Sequence, residues 1–475
     1  MTAGSASLAA VPRVLAVIAF ALLSLLLVAP APSYDPWAWL LWGREVAEGE
    51  LSTLEGPAFK PLPVAVCALL APFGVAAPWL WVLLVRVAAV VAGVLAYDLA
   101  RWLAGGSRVA GALGAVAVLL CAGLPAYTAA GAEPALVLAL ALGAVAAGNE
   151  RRMRIALACA VGCALLRVEA WPFVAVAAVV LWRSRPRDRP LLVALAVALP
   201  AAWLVPELLG SNDLLRSSAR AQMPNPGQPA LAAVPALAAL KAAAALPLWP
   251  LWAGVAALFV LRVHGGRATS ASAPDEHAIR RCARVALIPA LAGAAWIALV
   301  ALMAQAGFSG EPRYALPGAA LIALSGAVGL VLAARALLGG GVEPSLAVAL
   351  LIALAAAPRL AELPELRSAQ AYQWRLSHDL SAAVAAVGGP DAVLACGRPY
   401  VGRLRGPLMA YRMGVAKHVV EPDDPPRPPG MVFRSALHDA ARAAPDAPPQ
   451  FVEITRAGTW RVLAACQTHQ RLRVP

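Results

Sequence analysis

Seven ionisable residues stand where apolar stretches begin or end. They are Asp35 in SYDPWAW, Lys60 in FKPLP, Glu133 in GAEPAL, Arg167 and Glu169 in LLRVEAWPF, and Glu311 and Arg313 in FSGEPRY. A charged group is costly to place in hydrocarbon, so residues of this kind at a membrane edge need a function or a partner. As a set they hold what transfer from a phosphate ester to a hydroxyl needs: cations for the developing phosphate charge and a carboxylate for the hydroxyl proton. Each also has a plainer reading. Asp35-Pro36 and Glu133-Pro134 are helix-start patterns, Lys60 can snorkel to an interface, and Arg167 with Glu169, or Glu311 with Arg313, can be simple ion pairs. Arg86 and Lys241 lie inside apparent spans and read as headgroup contacts or snorkelling side chains.

The elements that position these residues are set by composition. A chain of 475 residues would make about three soluble domains at about 150 residues each. However, 61% of residues are hydrophobic, 14% are charged, and mean hydropathy is +0.72. Soluble domains run at about 45–50% apolar and about 25% charged, so lipid is the solvent. Lys and Arg outnumber Asp and Glu by 39 to 26. In a membrane protein that surplus marks cytoplasmic loops; no basic stripe interleaved with aromatics and no nucleic-acid motif accompanies it. Among seven cysteines there is no CxxC and no Cys/His zinc spacing. Cys159 and Cys163, one helical turn apart in an Ala-rich run, read as packing. The Ala, Val, Leu, Gly, Pro and Arg bias fits a GC-rich bacterial genome.

The apolar run Leu15–Ala31 is a first span or a cleavable signal peptide, and either way the segment after it lies outside. The outer segment holds Asp35, Glu45, Glu48, Glu50 and Glu55 against Arg44 and Lys60, with Trp37, Trp39 and Trp42 in a helix expected to rest at the bilayer interface. Pro61–Ala77 is expected to dip into the membrane without crossing. Only then do Arg101–Arg108, Asn149–Arg154, Arg183–Arg189 and the long loop Arg262–Arg284 all fall inside. Arg154–Arg183 is too short for two spans of about 20 residues, so it is expected as a half-depth hairpin with Arg167 and Glu169 at its outer tip. Later spans are Leu191–Leu208, Ala233–Leu261, Val285–Gln305, Leu316–Leu337 and Ser345–Ala357. The expected fold is an all-α polytopic membrane protein of about 11 spans with re-entrant helices. Residues 1–357 make its membrane domain, whose first outer loop is 32–78. Residues 358–475 make a small extracytoplasmic α/β domain.

In that tail a helix, AQAYQWRLSHDLSAAVAAVGG, precedes a strand-like DAVLACG, and FVEITR and TWRVLAAC pair through the Ala457–Gly458 turn. Cys396 and Cys466 each end a strand-like segment on the oxidising side, so a disulfide between them is expected.

At Asp35, Lys60 and Glu133 the chain resembles the GT-C membrane glycosyltransferases, which use polyprenyl-phosphate sugars. It is most similar to the aminoarabinose, protein-mannosyl and RgtA/B/C/D-like branches and to an actinobacterial-type branch, from Ser33 to about Pro317. The resemblance implies a catalytic carboxylate in the first outer loop at Asp35, where many members have Asp-Glu and this chain has Asp35-Pro36. It places Lys60 of FKPLP at a Lys-Pro-Pro-Leu motif that contacts the lipid phosphate, and Glu133 as the second catalytic acid. Our own inference adds Arg167, Glu169, Arg313 and Tyr314 as substrate-binding residues. The implied enzyme is an inverting glycosyltransferase of a bacterial plasma membrane. Its partners are a polyprenyl-phosphate-linked sugar, a cell-envelope glycan, lipid or protein acceptor, and membrane lipid. No cofactor is expected, and nothing in the sequence supports a divalent metal. A multi-span transporter, or a non-catalytic lipid-binding envelope protein, is the alternative. A transporter places its charges near the bilayer midplane and carries repeats, whereas here they gather at one edge.

Overall fold

The computed structural model describes residues 3–264, 273–338, 342–436 and 447–466. Helices α1 (Ala3–Leu27), α2 (Tyr34–Glu48), α3 (Pro61–Leu70), α4 (Ala77–Leu103), α5 (Arg108–Leu119), α6 (Leu124–Ala129) and α7 (Pro134–Asn149) come first. They are followed by α8 (Met153–Leu166), α9 (Trp171–Ser184), α10 (Arg189–Ser211), α11 (Arg216–Ala221), α12 (Pro235–Ala244), α13 (Pro250–His264), α14 (Ala273–Gln305), α15 (Pro312–Leu338) and α16 (Val342–Ala361). Among the described residues, five helical segments are long and apolar enough to cross a membrane, and six shorter apolar helices accompany them. The core of the block is α15, packed on α13, α14 and α5. Close approach there needs glycine: a Cβ on Gly254 would strike the Gly326 carbonyl, and one on Gly329 the Gly254 carbonyl.

Several expectations about single elements are corrected. Trp37, Trp39 and Trp42 do not face lipid; they are at most 4% exposed. Trp39 meets Trp81 edge-on with centroids 5.6 Å apart, and Trp42 packs on Phe59 and donates its indole N–H to the Ser52 carbonyl at 2.9 Å. α3 lies so tightly on α2 that a Cβ at Gly43 would collide with Cys67, and the backbone turns at Gly74 (φ 54°) before α4 begins. Arg86 neither snorkels nor reaches a headgroup. It is buried and donates to the carbonyls of Ser24 (2.8 Å), in the last turn of α1, and of Val28 (2.9 Å), just past its end. Lys241 is exposed on α12.

The expected span Ala233–Leu261 is two helices, broken between Ala244 and Pro250. Non-helical backbone at membrane depth must find partners within the protein, and Arg359 of α16 supplies them. Its guanidinium donates to the carbonyls of Leu246 (2.6 Å), Ala245 (3.1 Å) and Pro247 (3.1 Å), and also to Leu120. The expected loop Arg262–Arg284 is helical from Ala273 onward; its residues 265–272 lie outside the described residues. Arg154–Arg183 does fold as a helical hairpin of α8 and α9, turning at 167–170.

The tail continues from α16 as a near-continuous rod through α17 (Leu363–Ala386), so helix runs across the expected boundary at 357/358. Beyond it lie α18 (Gly389–Cys396), β1 (Arg398–Val401), α19 (Gly406–Met413), β2 (Glu421–Pro422), β3 (Gly430–Arg434), β4 (Val452–Ala457) and β5 (Trp460–Ala465). One sheet forms in the order β2-β1-β3-β5-β4; β1 is parallel to β2 and β3, and β5 is antiparallel to β3 and β4. DAVLAC is α18, not a strand: a short apolar run opened by Gly-Pro-Asp has a helix start but no period to tell the two apart. Cys396, closing that helix, is bonded to Cys466 with Cα atoms 4.6 Å apart.

Candidate active site

Five helices present their N-terminal ends to one region, and each begins within about three residues of a proline: Pro36, Pro61, Pro134, Pro172 and Pro312. Proline suits the first turn because its missing N–H has no acceptor there. The helix-start and functional readings of Asp35, Lys60 and Glu133 therefore coexist: the proline starts the helix and leaves the preceding charged residue at its mouth. Open N–H groups at such ends also favour anions. The Ser33 N–H bonds the Ala130 carbonyl at 3.0 Å, bringing the start of α2 beside the loop that carries Glu133.

The charged residues form two groups. In the first, Glu133 is 1% exposed and its Oε1 accepts from Lys60 Nζ at 2.5 Å and from Arg167 at 3.2 Å. Arg167 also donates to Glu169 at 3.1 Å. Burial alone would push the Glu133 carboxyl up, but Lys60, Arg313 and Arg167 outweigh it and hold it well below the usual carboxylate range. Burial likewise disfavours charged Arg167, and Glu169 and Glu133 reverse that, so its charge is held firmly. In the second group, Arg313 donates to Asp35 Oδ2 at 2.9 Å and pairs with Glu311, whose other oxygen accepts from Gln228 at 2.5 Å. Tyr314 joins the two: the Arg167 guanidinium lies 3.6 Å from its ring centroid, and Arg313 lies 3.4 Å from its hydroxyl.

A cavity of about 430 Å³ opens against the first group. Lys60, Arg167, Glu169 and Tyr314 contribute to its wall, which is otherwise mostly apolar: Leu166, Trp171, Trp203, Leu204, Leu215, Val300, Met303 and Phe308. Trp171 and Trp203 are held by indole N–H bonds of 3.1 and 3.0 Å to the same Ala164 carbonyl. Asp35, Glu133 and Arg313 do not line it; Glu133 lies behind the two cations it pairs. A second, apolar cavity of about 650 Å³ shares Phe59 and runs between α2, α3 and α10.

Sequence reasoning missed what holds Lys60 in place. Arg216 of α11 donates to the carbonyls of Pro57 (2.8 Å) and Gly56 (3.0 Å), the Phe59 N–H donates to Ser217 Oγ at 2.6 Å, and both α11 side chains rest on Glu207. Glu207 is fully buried near the end of α10. An acid inside an apparent span was the available signal.

No family model matches the chain, and no curated protein matches it. Among solved structures, ArnT from Cupriavidus metallidurans bound to undecaprenyl phosphate aligns over 98% of this chain and 99% of its own, at TM-score 0.47 and 14% identity. The same protein in the apo state aligns over 96% and 98%, at TM-score 0.44 and 14% identity. At that similarity, a function for this chain rests on the residues of its own site.

Proposed function

We propose that the chain is a GT-C-type glycosyltransferase of the bacterial plasma membrane that moves a sugar from a polyprenyl-phosphate donor to an acceptor hydroxyl on the extracytoplasmic face. The observation that carries this reading is the cavity: its wall is mostly apolar, its charged groups are Lys60, Arg167 and Glu169, and Ser217, Ser218 and Ser309 add hydroxyls. That pairing of chemistries suits an amphiphile with an anionic head. Lys60 and Arg167 hold the phosphate, Tyr314 and Glu169 border it, and Arg313 lies one residue behind. Asp35 takes the acceptor proton as the acceptor oxygen bonds to the anomeric carbon. The bond from that carbon to the phosphate oxygen breaks, the anomeric centre inverts, and polyprenyl phosphate leaves with the electron pair. Polyprenyl phosphate is a good leaving group, so no strong general acid is needed. Glu133, tied to two cations, serves as their counter-charge in place of acting as a second base. No group of three or more His, Cys, Asp or Glu side chains converges as metal ligands among the described residues, and no step is routed through a metal. The outer placement of the tail is part of the proposal.

The test uses purified protein in nanodiscs with a panel of radiolabelled polyprenyl-phosphate sugars and envelope extracts as acceptors. Asp35→Asn should lower transfer by about 10²–10⁴-fold while polyprenyl phosphate still binds. A lipid carrier without catalysis would bind and never transfer. Transfer by Asp35→Asn at the wild-type rate would reduce Asp35 to a helix-start residue.

A further inference from the structure

The two ion groups differ in their sums. Lys60 and Arg167 face Glu133 and Glu169, two charges of each sign. Arg313 alone faces both Asp35 and Glu311, leaving that triad one negative charge in excess. Its side chains are only 12–24% exposed, so water screens the imbalance poorly. Glu311 is held in place from its far side by Gln228, in turn anchored by the bond from the Asn225 N–H to its side-chain oxygen at 2.7 Å.

A carboxylate acting as base ends the reaction neutral. If Arg313 paired with Asp35 only, protonation would strand a guanidinium in a mostly buried site, and the pair would resist taking the proton. With Glu311 present, the proton-loaded triad is a balanced Arg313–Glu311 pair beside a neutral acid. We infer that Glu311 is a positioning residue that lets Asp35 accept a proton, by supplying the counter-charge Arg313 needs once Asp35 is neutral. This rests on the reading of Asp35 as base. The other charged and titratable groups around the triad are Tyr34 on α2, Tyr127 on α6, Tyr314 on α15, Glu133 with Lys60 and Arg167, and, beside Tyr34, Glu55 with Arg216 and Arg220 of α11. Glu133 also acts on Arg313, but it is already paired with Lys60 and Arg167, and the joined cluster of three cations and four carboxylates keeps the same single negative charge in excess.

The test reads protonation of Asp35 itself. In full-length protein in nanodiscs, the infrared carboxylic-acid band lost in Asp35→Asn is followed against pH. In Glu311→Gln that band should appear only at a pH lower by about one unit or more than in the wild type, and Glu311→Asp should restore it. The double variant Arg313→Gln/Glu311→Gln removes the cation with its counter-charge and should return the band toward its wild-type pH. If Glu311→Gln does not fold, Arg313→Gln compared with the double variant carries the same question, the double showing the band at lower pH. An unmoved band in Glu311→Gln, or a Glu311→Asp that behaves like Gln, overturns the inference. Unimpaired sugar transfer by Asp35→Asn would instead overturn the base assignment, leaving the band shift to judge Glu311 alone.

Discussion

Two buried carboxylates, Glu133 and Glu45, are 1% and 4% exposed, yet they end in opposite electrostatic states. Glu133 lies among Lys60, Arg167 and Arg313 and is held charged. Glu45, on the far end of α2, has one oxygen on the Ser52 N–H at 3.0 Å and the other without a partner, and burial pushes it up to about 7. Around Glu45 lies the surface where the tail grips α2 and the segment after it: Arg44 bonds the Tyr411 carbonyl at 3.0 Å, Lys417 pairs with Glu55 at 2.8 Å, and Ser52 meets His418 at 3.1 Å. Burial alone therefore does not make a site. A site needs cations brought in at the cost of burying them, and the helix-starting prolines bring them only to the Glu133 side.

The contrast is broken most severely at Glu133. Removing one partner from a buried ion group costs about 3–5 kcal/mol, so Glu133→Gln should lower the melting temperature of the empty protein well below that of any change on the Glu45 side. Polyprenyl phosphate offers the stranded cations a new anion, and should recover more stability in Glu133→Gln than in the wild type. A variant that melts like the wild type would mean Lys60 and Arg167 are solvated and Glu133 is not their counter-charge.

On the tail side the largest effect is expected at the disulfide. Cys396 and Cys466 are 70 residues apart in sequence and close the sheet end of the domain. Changing both to serine should cost about 2–4 kcal/mol of tail stability and loosen its grip on α2, while the Glu133 group stays paired. Denaturant unfolding followed at Trp460, buried under the Leu376 carbonyl, reads this. Non-reducing mass spectrometry of protein from its native host should find the linked peptide.

Lys60→Ala sharpens the comparison more gently, because Arg167 remains on Glu133. Loss of one charge-assisted contact to phosphate should weaken binding of polyprenyl phosphate in vesicles by about 10–100-fold. Equal affinity would move the phosphate away from this cavity.

Much of the cluster was legible because Asp35, Lys60, Glu133, Glu311 and Arg313 each abut a proline that starts a helix, and Arg167 and Glu169 lie within five residues of Pro172; both signals are local. What was not legible depends on partners distant in sequence. The tryptophans of α2 have the same composition whether they face lipid or α3 and α4, and only the collision point at Gly43 tells which. The break between α12 and α13 is affordable because Arg359, more than 100 residues on, satisfies its carbonyls. Glu207 looks like an isolated acid in a span until Arg216 and Ser217 fold back on it. Short apolar runs such as DAVLAC carry too few turns to separate helix from strand.

The smallest expected effect tests the other half of the comparison. Glu45 is raised from its ordinary 4.5 to about 7, first by burial, with the Ser52 N–H and Arg44 opposing. A carboxyl raised in the folded state favours that state while protonated. Its contribution is therefore full below about 4.5 and is lost as pH rises through about 7. The wild type should melt lower at pH 8 than at pH 5.5. Glu45→Gln, which stays neutral and can still accept the Ser52 N–H, should flatten that dependence by on the order of 1–3 °C. Glu133→Gln should not flatten it, because Glu133 is already charged throughout this range. Parallel pH dependences in the wild type and Glu45→Gln would show that the turn admits water enough to solvate the charge, and the two carboxylates would then differ in cation count alone.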